Sequence, residues 1–237
     1  MSNPFEFKQF TIHQDRCAMK IGTDGVLLGA WTPLSDEVNS ILDIGTGTGV
    51  IALMMAQRSY AETIDAIEID DNAYEQAVEN FESSDWGDRL FCYHASFQEF
   101  FQEIDDTYDL LISNPPFYTD DYKTSNASRD TARFEDALPF EHLFIGAAHL
   151  LSEKGRFAII LPYKEEDNVI EIAKKTGLFV QKITRVKGNP SSEIKRSMLI
   201  FGFDQIDPAI DELIIENQRH LYTEDYIKLT KEFYLKM

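Results

Sequence analysis

Leu42-Asp43-Ile44-Gly45-Thr46-Gly47-Thr48-Gly49 lies where an apolar run, Ile41–Ile44, passes into a helical pattern, Thr48–Arg58. A strand that ends on glycines and opens a helix lets the backbone turn tightly around a ligand, and it presents unsatisfied helix N–H groups to it. The spacing is GxGxG. A dinucleotide fingerprint needs its third glycine at position 50, which is Val50, and a phosphate-cradling loop needs Gly-Lys-Ser/Thr, which is absent. A nucleoside cofactor without a pyrophosphate fits better, with Asp43, Gly45, Thr46, Gly47 and Gly49 placed against it. Thr63–Ile69 then ends in Ile67-Glu68-Ile69-Asp70, so Glu68 sets a carboxylate at a strand tip, where it can accept hydrogen bonds from both ribose hydroxyls. Asp70 is read as the cap of the helix that starts at Asp71.

Working outward, further strands are expected at Arg89–Tyr93, Tyr108–Ser113, Gly155–Leu161, Phe179–Val186 and Met198–Asp204. Helical patterns fall at Asp71–Ser83, Phe97–Phe101, Phe140–Leu151 and Glu165–Thr176. Apolar strands alternating with helices predict an α/β fold: a mostly parallel sheet of seven strands with helices on both faces. Lys187-Gly188-Asn189-Pro190-Ser191-Ser192 is turn-rich and leaves no room for a helix, so the last two strands should close as an antiparallel hairpin. No repeat or Gly/Ser linker divides the chain. One domain over residues 1–237 is expected, with 1–35 as an N-terminal extension and 36–237 as the core.

The 237 residues, 43% of them hydrophobic, suffice for a core without staples. Cys17 and Cys92 are far apart and lack Cys/His spacing, so neither a disulfide framework nor a metal site is expected. No apolar run approaches the ~18 residues of a membrane span and no signal-peptide core is present, which points to the cytoplasm. The net charge of -19 argues against nucleic acid until its distribution is read: residues 1–35, 36–112 and 113–237 carry 0, -16 and -3. Lys182, Arg185, Lys187, Lys195 and Arg196 face only Glu193 in their stretch, either as a solvated hairpin or as a phosphate-binding patch.

Leu111-Ile112-Ser113-Asn114-Pro115-Pro116-Phe117 is the most specific motif. Two prolines cannot donate to a sheet, so the strand must stop in the crevice where α/β sheets bind ligands. The Asn114 side-chain oxygen and the Pro115 carbonyl form a pair of acceptors matched to a planar amino group. Gripping both hydrogens favours a pyramidal nitrogen and the positive charge that develops as it attacks. Phe117 offers a face for a flat base, a stack worth ~1–3 kcal/mol. The plain alternative is a Pro-Pro turn capped by Asn.

Asp43 to Gly49, Glu68 and Asn114-Pro-Pro-Phe117 resemble the cofactor and catalytic motifs of S-adenosylmethionine-dependent amino methyltransferases, whose Rossmann-like sheet also has seven strands and ends in an antiparallel pair. Phe10 to Asp15, Cys17-Ala-Met-Lys20, Gly22-Thr-Asp-Gly25, Leu28-Gly-Ala-Trp31 and the tail Tyr222–Leu235 resemble the bacterial tRNA1(Val) adenine-37 N6-methyltransferase family, over essentially the whole chain. The resemblance implies S-adenosylmethionine as cofactor, tRNA as partner, no metal, and direct in-line methyl transfer with Asn114, Pro115 and Phe117 as the catalytic motif. It also implies that Thr23 and Asp24 line the methionine end of the cofactor site; read alone, Thr23-Asp24 is equally a helix N-cap. Ser96 stands where many such enzymes carry an acid for the cofactor's adenine, and Phe97 could pack on that ring. RNA is expected to meet Lys187, Lys195 and Arg196, with Arg129 and the neighbouring Lys123 and Arg133 on the loop after the motif. His142, His149 and His220 are read as structural, and a monomer is favoured. Ribosomal RNA guanine-N2 methylation, protein-glutamine methylation and a non-catalytic cofactor-binding scaffold are the competing readings.

Overall fold

A computed structural model describes residues 3–116 and 138–236, so Phe117, Lys123, Arg129 and Arg133 lie outside the described residues. In chain order the elements begin with β1 (Phe5–Glu6), β2 (Thr11–Ile12), α1 (Thr23–Trp31), β3 (Ser40–Ile44), α2 (Val50–Arg58), β4 (Thr63–Glu68) and α3 (Asp71–Glu82). Next come β5 (Leu90–His94), α4 (Phe97–Glu103), β6 (Tyr108–Ser113), α5 (Phe140–Leu150), β7 (Leu151–Pro162), a 3₁₀ turn (Tyr163–Glu165) and α6 (Glu166–Lys175). The described chain closes with β8 (Phe179–Lys187), β9 (Ile194–Gly202), β10 (Ala209–Ile214), β11 (Glu216–Gln218), β12 (Leu221–Tyr222) and α7 (Glu224–Thr230).

The main sheet runs β10-β8-β9-β7-β6-β3-β4-β5. β9 is antiparallel to β7 and β8, which makes the expected hairpin, while the remaining neighbours are parallel. The sheet therefore has eight strands, one more than expected. The extra strand, β10, is an edge strand with only Leu213 buried, so it carries none of the apolar continuity by which the others announce themselves. Alternate residues of the central strands face opposite layers: Ile41, Leu110, Ile112 and Ile160 pack with α1 and α2, and Leu42, Leu111, Phe157 and Ile159 pack with α4, α5 and α6.

Helix α1 buries seven consecutive residues, Gly25–Trp31, and so has no amphipathic period. Its N-cap is Gly22, with no side-chain hydrogen bond; Thr23 and Asp24 lie in the first turn and do not cap it. Asp70 does cap α3, accepting from Ala73 N–H at 2.9 Å. Ahead of α1, the short β1–β2 hairpin rests on the C-terminal segment through stacked rings of Phe7, Phe10 and Tyr234. Among the described residues no helix is long and apolar enough to cross a membrane.

The chain runs outward from β3 to β4 and β5, then returns to lay β6 on the other side of β3. The loops after β3 and β6 thus leave the same sheet edge in opposite directions, and this switch point opens the crevice in which such sheets bind ligands.

Candidate active site

Asp43, the penultimate residue of β3, is fully buried, and its Oδ2 accepts from the Thr46 hydroxyl at 2.6 Å and from Ala52 N–H at 3.2 Å. Burial pushes its carboxyl up to about 7, against the hydrogen bonds that favour the charged form. Asp43 and Thr46 therefore brace the glycine loop against α2 from behind, and neither lines the cavity in front of it. Both are read from the sequence as cofactor contacts; with Asp43 at 0% and Thr46 at 6% exposure, their part in the site is to hold the loop. Gly45 and Gly47 do line the cavity; both have positive φ, 72° and 57°, and a Cβ on either would point into open space. Gly49 serves packing instead, since its φ is 80° and a Cβ there would lie 2.5 Å from Phe81 of α3.

Glu68 ends β4 beside this loop. Its Oε2 accepts from Gly47 N–H at 2.8 Å, and its Oε1 accepts from the N–H groups of Ile69 and Asp70, each at 2.9 Å. Three fixed donors orient the carboxylate. A carboxylate offers about four acceptor positions, so one remains for a ribose hydroxyl, and taking both hydroxyls would require Oε2 to give up Gly47.

The cavity encloses about 600 Å³, within the usual range for small-molecule sites. Along one wall lie Gly45, Gly47 and Glu68; along another Ser113, Asn114, Pro115 and Pro116; and Ser96, Phe97 and Gln98 close a third side. The Ser113 hydroxyl donates to Ile44 O at 2.9 Å, pinning the tip of β6 to the tip of β3. Asn114 is half-buried with α1 packed alongside, close enough that a Cβ on Gly25 would sit 3.7 Å from Asn114 Nδ2. Pro115 is buried and Pro116 exposed. The two acceptors read from the sequence thus belong to residues on the same cavity as the glycines and Glu68. Two open glycines, a strand-tip carboxylate and mostly apolar walls fit a nucleoside cofactor such as S-adenosylmethionine.

Ser96 and Phe97 both reach this cavity, but each has a structural task. The Ser96 hydroxyl donates to Glu99 Oε2 at 2.7 Å and accepts from Glu99 N–H at 3.2 Å, a capping box for α4. One lone pair is left for a ligand. Phe97 is buried against Phe101 and over Gly146. Thr23 is exposed and does not line the cavity, while Asp24 holds Arg196, so the first turn of α1 reaches Asn114 through Gly25.

Two contributors were not read from the sequence. Cys17, Ala18 and Met19 form part of the wall, placed by long-range hydrogen bonds: Asn80 of α3 accepts from His13 N–H and donates to His13 O and Thr48 O, all at 2.9 Å, and Gln76 accepts from Arg16 N–H at 3.1 Å. His142, read as a structural surface residue, lines the cavity from the first turn of α5 and is hydrogen-bonded to Gln98. Gln76 and Asn80, set among the buried Ala73, Ala77 and Phe81 of α3, are a sequence cue for such anchoring, and they do not specify their partners.

In the hairpin patch, most of the cations have partners within the chain. Arg196 Nε donates to Asp24 Oδ2 at 2.7 Å, and Lys187 Nζ pairs with Glu212 at 2.8 Å. Arg185 grips the buried Glu166 through Nε at 3.1 Å and Nη2 at 2.6 Å. Lys182 lies 4.9 Å from the centroid of the Trp31 ring. Only Lys195, of the three hairpin cations assigned to RNA, is exposed without an ion pair among the described residues. The acids that neutralise the others come from α1, α6 and β10, far away in sequence.

Residues 25–175 match the family model described as the methyltransferase small domain. The chain is 62% identical over 240 residues to a Christiangramia forsetii protein named tRNA1(Val) (adenine(37)-N6)-methyltransferase, covering 100% of both chains. A Flavobacterium johnsoniae protein of the same name is 61% identical and covers 98% of this chain and 100% of its own. Among solved structures, a predicted O-methyltransferase of Agrobacterium tumefaciens superposes with a TM-score of 0.70 at 19% identity, covering 89% of this chain and 96% of that one. At these identities the structural likeness speaks for the fold.

Proposed function

Because the chain belongs to the tRNA1(Val) (adenine(37)-N6)-methyltransferase family, we propose that its cavity and the Asn114-Pro115 strand end together carry methyl transfer to N6 of adenosine 37 in the anticodon loop of tRNA1(Val). The chain is an S-adenosylmethionine-dependent tRNA adenine-N6 methyltransferase with a mostly parallel α/β sheet. The observation that carries the assignment of residues is the shared cavity: the glycine loop and Glu68 on one wall, Asn114 and Pro115 on the other.

When bound, S-adenosylmethionine supplies an electrophilic sulfonium methyl. Glu68, oriented by three backbone N–H groups, accepts from the ribose, and the open backbone at Gly45 and Gly47 lets the loop approach closely. Ser96, through its free lone pair, and Phe97 are proposed to face the adenine of the cofactor. Asn114 and Pro115 accept the two hydrogens of the target amino group. An exocyclic amine is a poor nucleophile because its lone pair is delocalised into the ring, so acceptors that favour the pyramidal, positively charged transition state act where the barrier is highest. Phe117, by its position in the motif, is proposed to stack the target base. No side chain need serve as a base, since the nitrogen turns acidic once methylated and can lose its proton to water. An anticodon-loop adenine is unpaired, so presenting it avoids the few kcal/mol of extrusion from a duplex. A tRNA substrate supports the cytoplasm as the proposed location.

Incubation with methyl-labelled cofactor and total tRNA, followed by mass spectrometry of the nucleosides, tests the reading. The expected product is N6-methyladenosine in tRNA1(Val). N2-methylguanosine, or label in protein only, would overturn it.

A further inference from the structure

The 3₁₀ turn Tyr163–Glu165 follows β7 on the same sheet edge as the catalytic motif. Ser113, the last residue of β6, pairs with Ile159 of the parallel β7, which runs on to Pro162, so Asn114-Pro115-Pro116 and Tyr163 leave adjacent strand ends on that edge. On the far side Pro162 pairs with Arg196, which brings Lys195 level with Tyr163. Tyr163 is 39% exposed, a large ring facing water on the sheet edge that also carries the cavity. The guanidinium carbon of Arg185 sits 5.5 Å from its ring centroid, and Arg185 is itself locked by the buried Glu166, which also accepts from Ser197. A ring backed by an immobilised cation loses little freedom when something stacks on its other face.

Charge around the ring points to the occupant. Glu166, Asp24 and Glu212 are each taken by a hairpin arginine or lysine, whereas Lys164 and Lys195 are exposed and form no ion pair among the described residues. A flat surface flanked by two unpaired ammonium groups, on the same sheet edge as the acceptors for an amino group, matches a nucleotide: a base for the ring and phosphates for the lysines. Building on the function proposed above, we infer that Tyr163 stacks an unpaired base of the substrate RNA neighbouring the target adenine, with Lys164 and Lys195 meeting the adjoining phosphates. This replaces Lys187 and Arg196 as the hairpin's route to RNA. Glu165 and Glu193 lie close by, so the attraction is local to one or two phosphates.

The test compares kcat/KM for tRNA1(Val), cofactor affinity and salt dependence in the intact protein. Tyr163→Ala should lower kcat/KM for tRNA about 10- to 100-fold, chiefly through KM, with cofactor affinity unchanged, and Tyr163→Phe should retain activity within about 2-fold because stacking needs the ring and not the hydroxyl. Lys164→Ala with Lys195→Ala should flatten the plot of log affinity against log salt by up to ~2 units. Wild-type kcat/KM in Tyr163→Ala would overturn the inference. So would equal losses in Tyr163→Ala and Tyr163→Phe, a parallel loss of cofactor affinity, or an unchanged salt slope in the double lysine variant. Methylation of adenosine 37 by the wild-type protein, run alongside, separates these failures from a failure of the proposed function.

Discussion

Asp43 and Asn114 stand at neighbouring strand ends and act through different physics. The Asp43 carboxyl, ordinarily near 3.8, is pushed up to about 7 by burial, so the unfolded chain releases this proton at lower pH than the folded one. Below about pH 4 the group is neutral in both states; as pH rises toward 7 the folded state holds the extra proton, and native stability falls. Asp43→Asn removes that dependence. In denaturant titrations from pH 4 to 7, the stability difference between variant and wild type should move in the variant's favour as pH rises, and a pH-independent difference would contradict the buried-acid account. Asn114 acts on the reaction instead. Removing a preorganised acceptor for developing charge typically costs ~3–4 kcal/mol, so Asn114→Ala should slow turnover by about 100-fold or more while leaving cofactor affinity nearly intact. Calorimetry for the cofactor and single-turnover rates for methyl transfer separate these two effects; wild-type turnover would remove Asn114 from the mechanism.

At the scale of elements, the strap formed by residues 13–19 ahead of α1 matters most, because it walls the cofactor cavity without adding a strand to the main sheet. Asn80 ties it to α3 and to the glycine loop with three hydrogen bonds. With each bond worth ~1 kcal/mol net, Asn80→Ala should weaken cofactor binding by about 10-fold or more, with turnover at saturating cofactor much less affected. Calorimetry together with kcat at saturation checks this, and unchanged affinity would show the strap to be passive. The strap also marks the limit of what the sequence discloses. Strands such as Tyr108–Ser113 are legible because a parallel strand buried on both faces is a continuous apolar run, and Asn114-Pro-Pro is legible because two prolines must end it. β10 is not, since an edge strand bearing exposed Asp211 and Glu212 breaks the run. The cavity roles of Cys17–Met19 and His142 depend on partners 60 or so residues away for the former and 44 for the latter, which local pattern cannot supply. The same blindness made the hairpin cations look free when Asp24, Glu166 and Glu212 held them.

For the whole molecule, the division of charge follows the division of the sheet. Residues 36–112, with a net charge of -16, build β3 to β5 and most of β6, whereas 113–237, at -3, build β7 to β10. An RNA approaching the shared edge therefore meets less repulsion over β7 and β9, the side on which Tyr163, Lys164 and Lys195 sit. A chain with a charge of -19 can act on tRNA this way, with long-range repulsion screened within ~8 Å at physiological salt and attraction confined to a small contact. The most direct test of the central claim is methyl transfer from labelled cofactor to two tRNA1(Val) substrates, one with adenosine at position 37 and one with guanosine there. The account predicts label in the first alone, recovered as N6-methyladenosine. Equal labelling of both, or label on the guanosine, would contradict it.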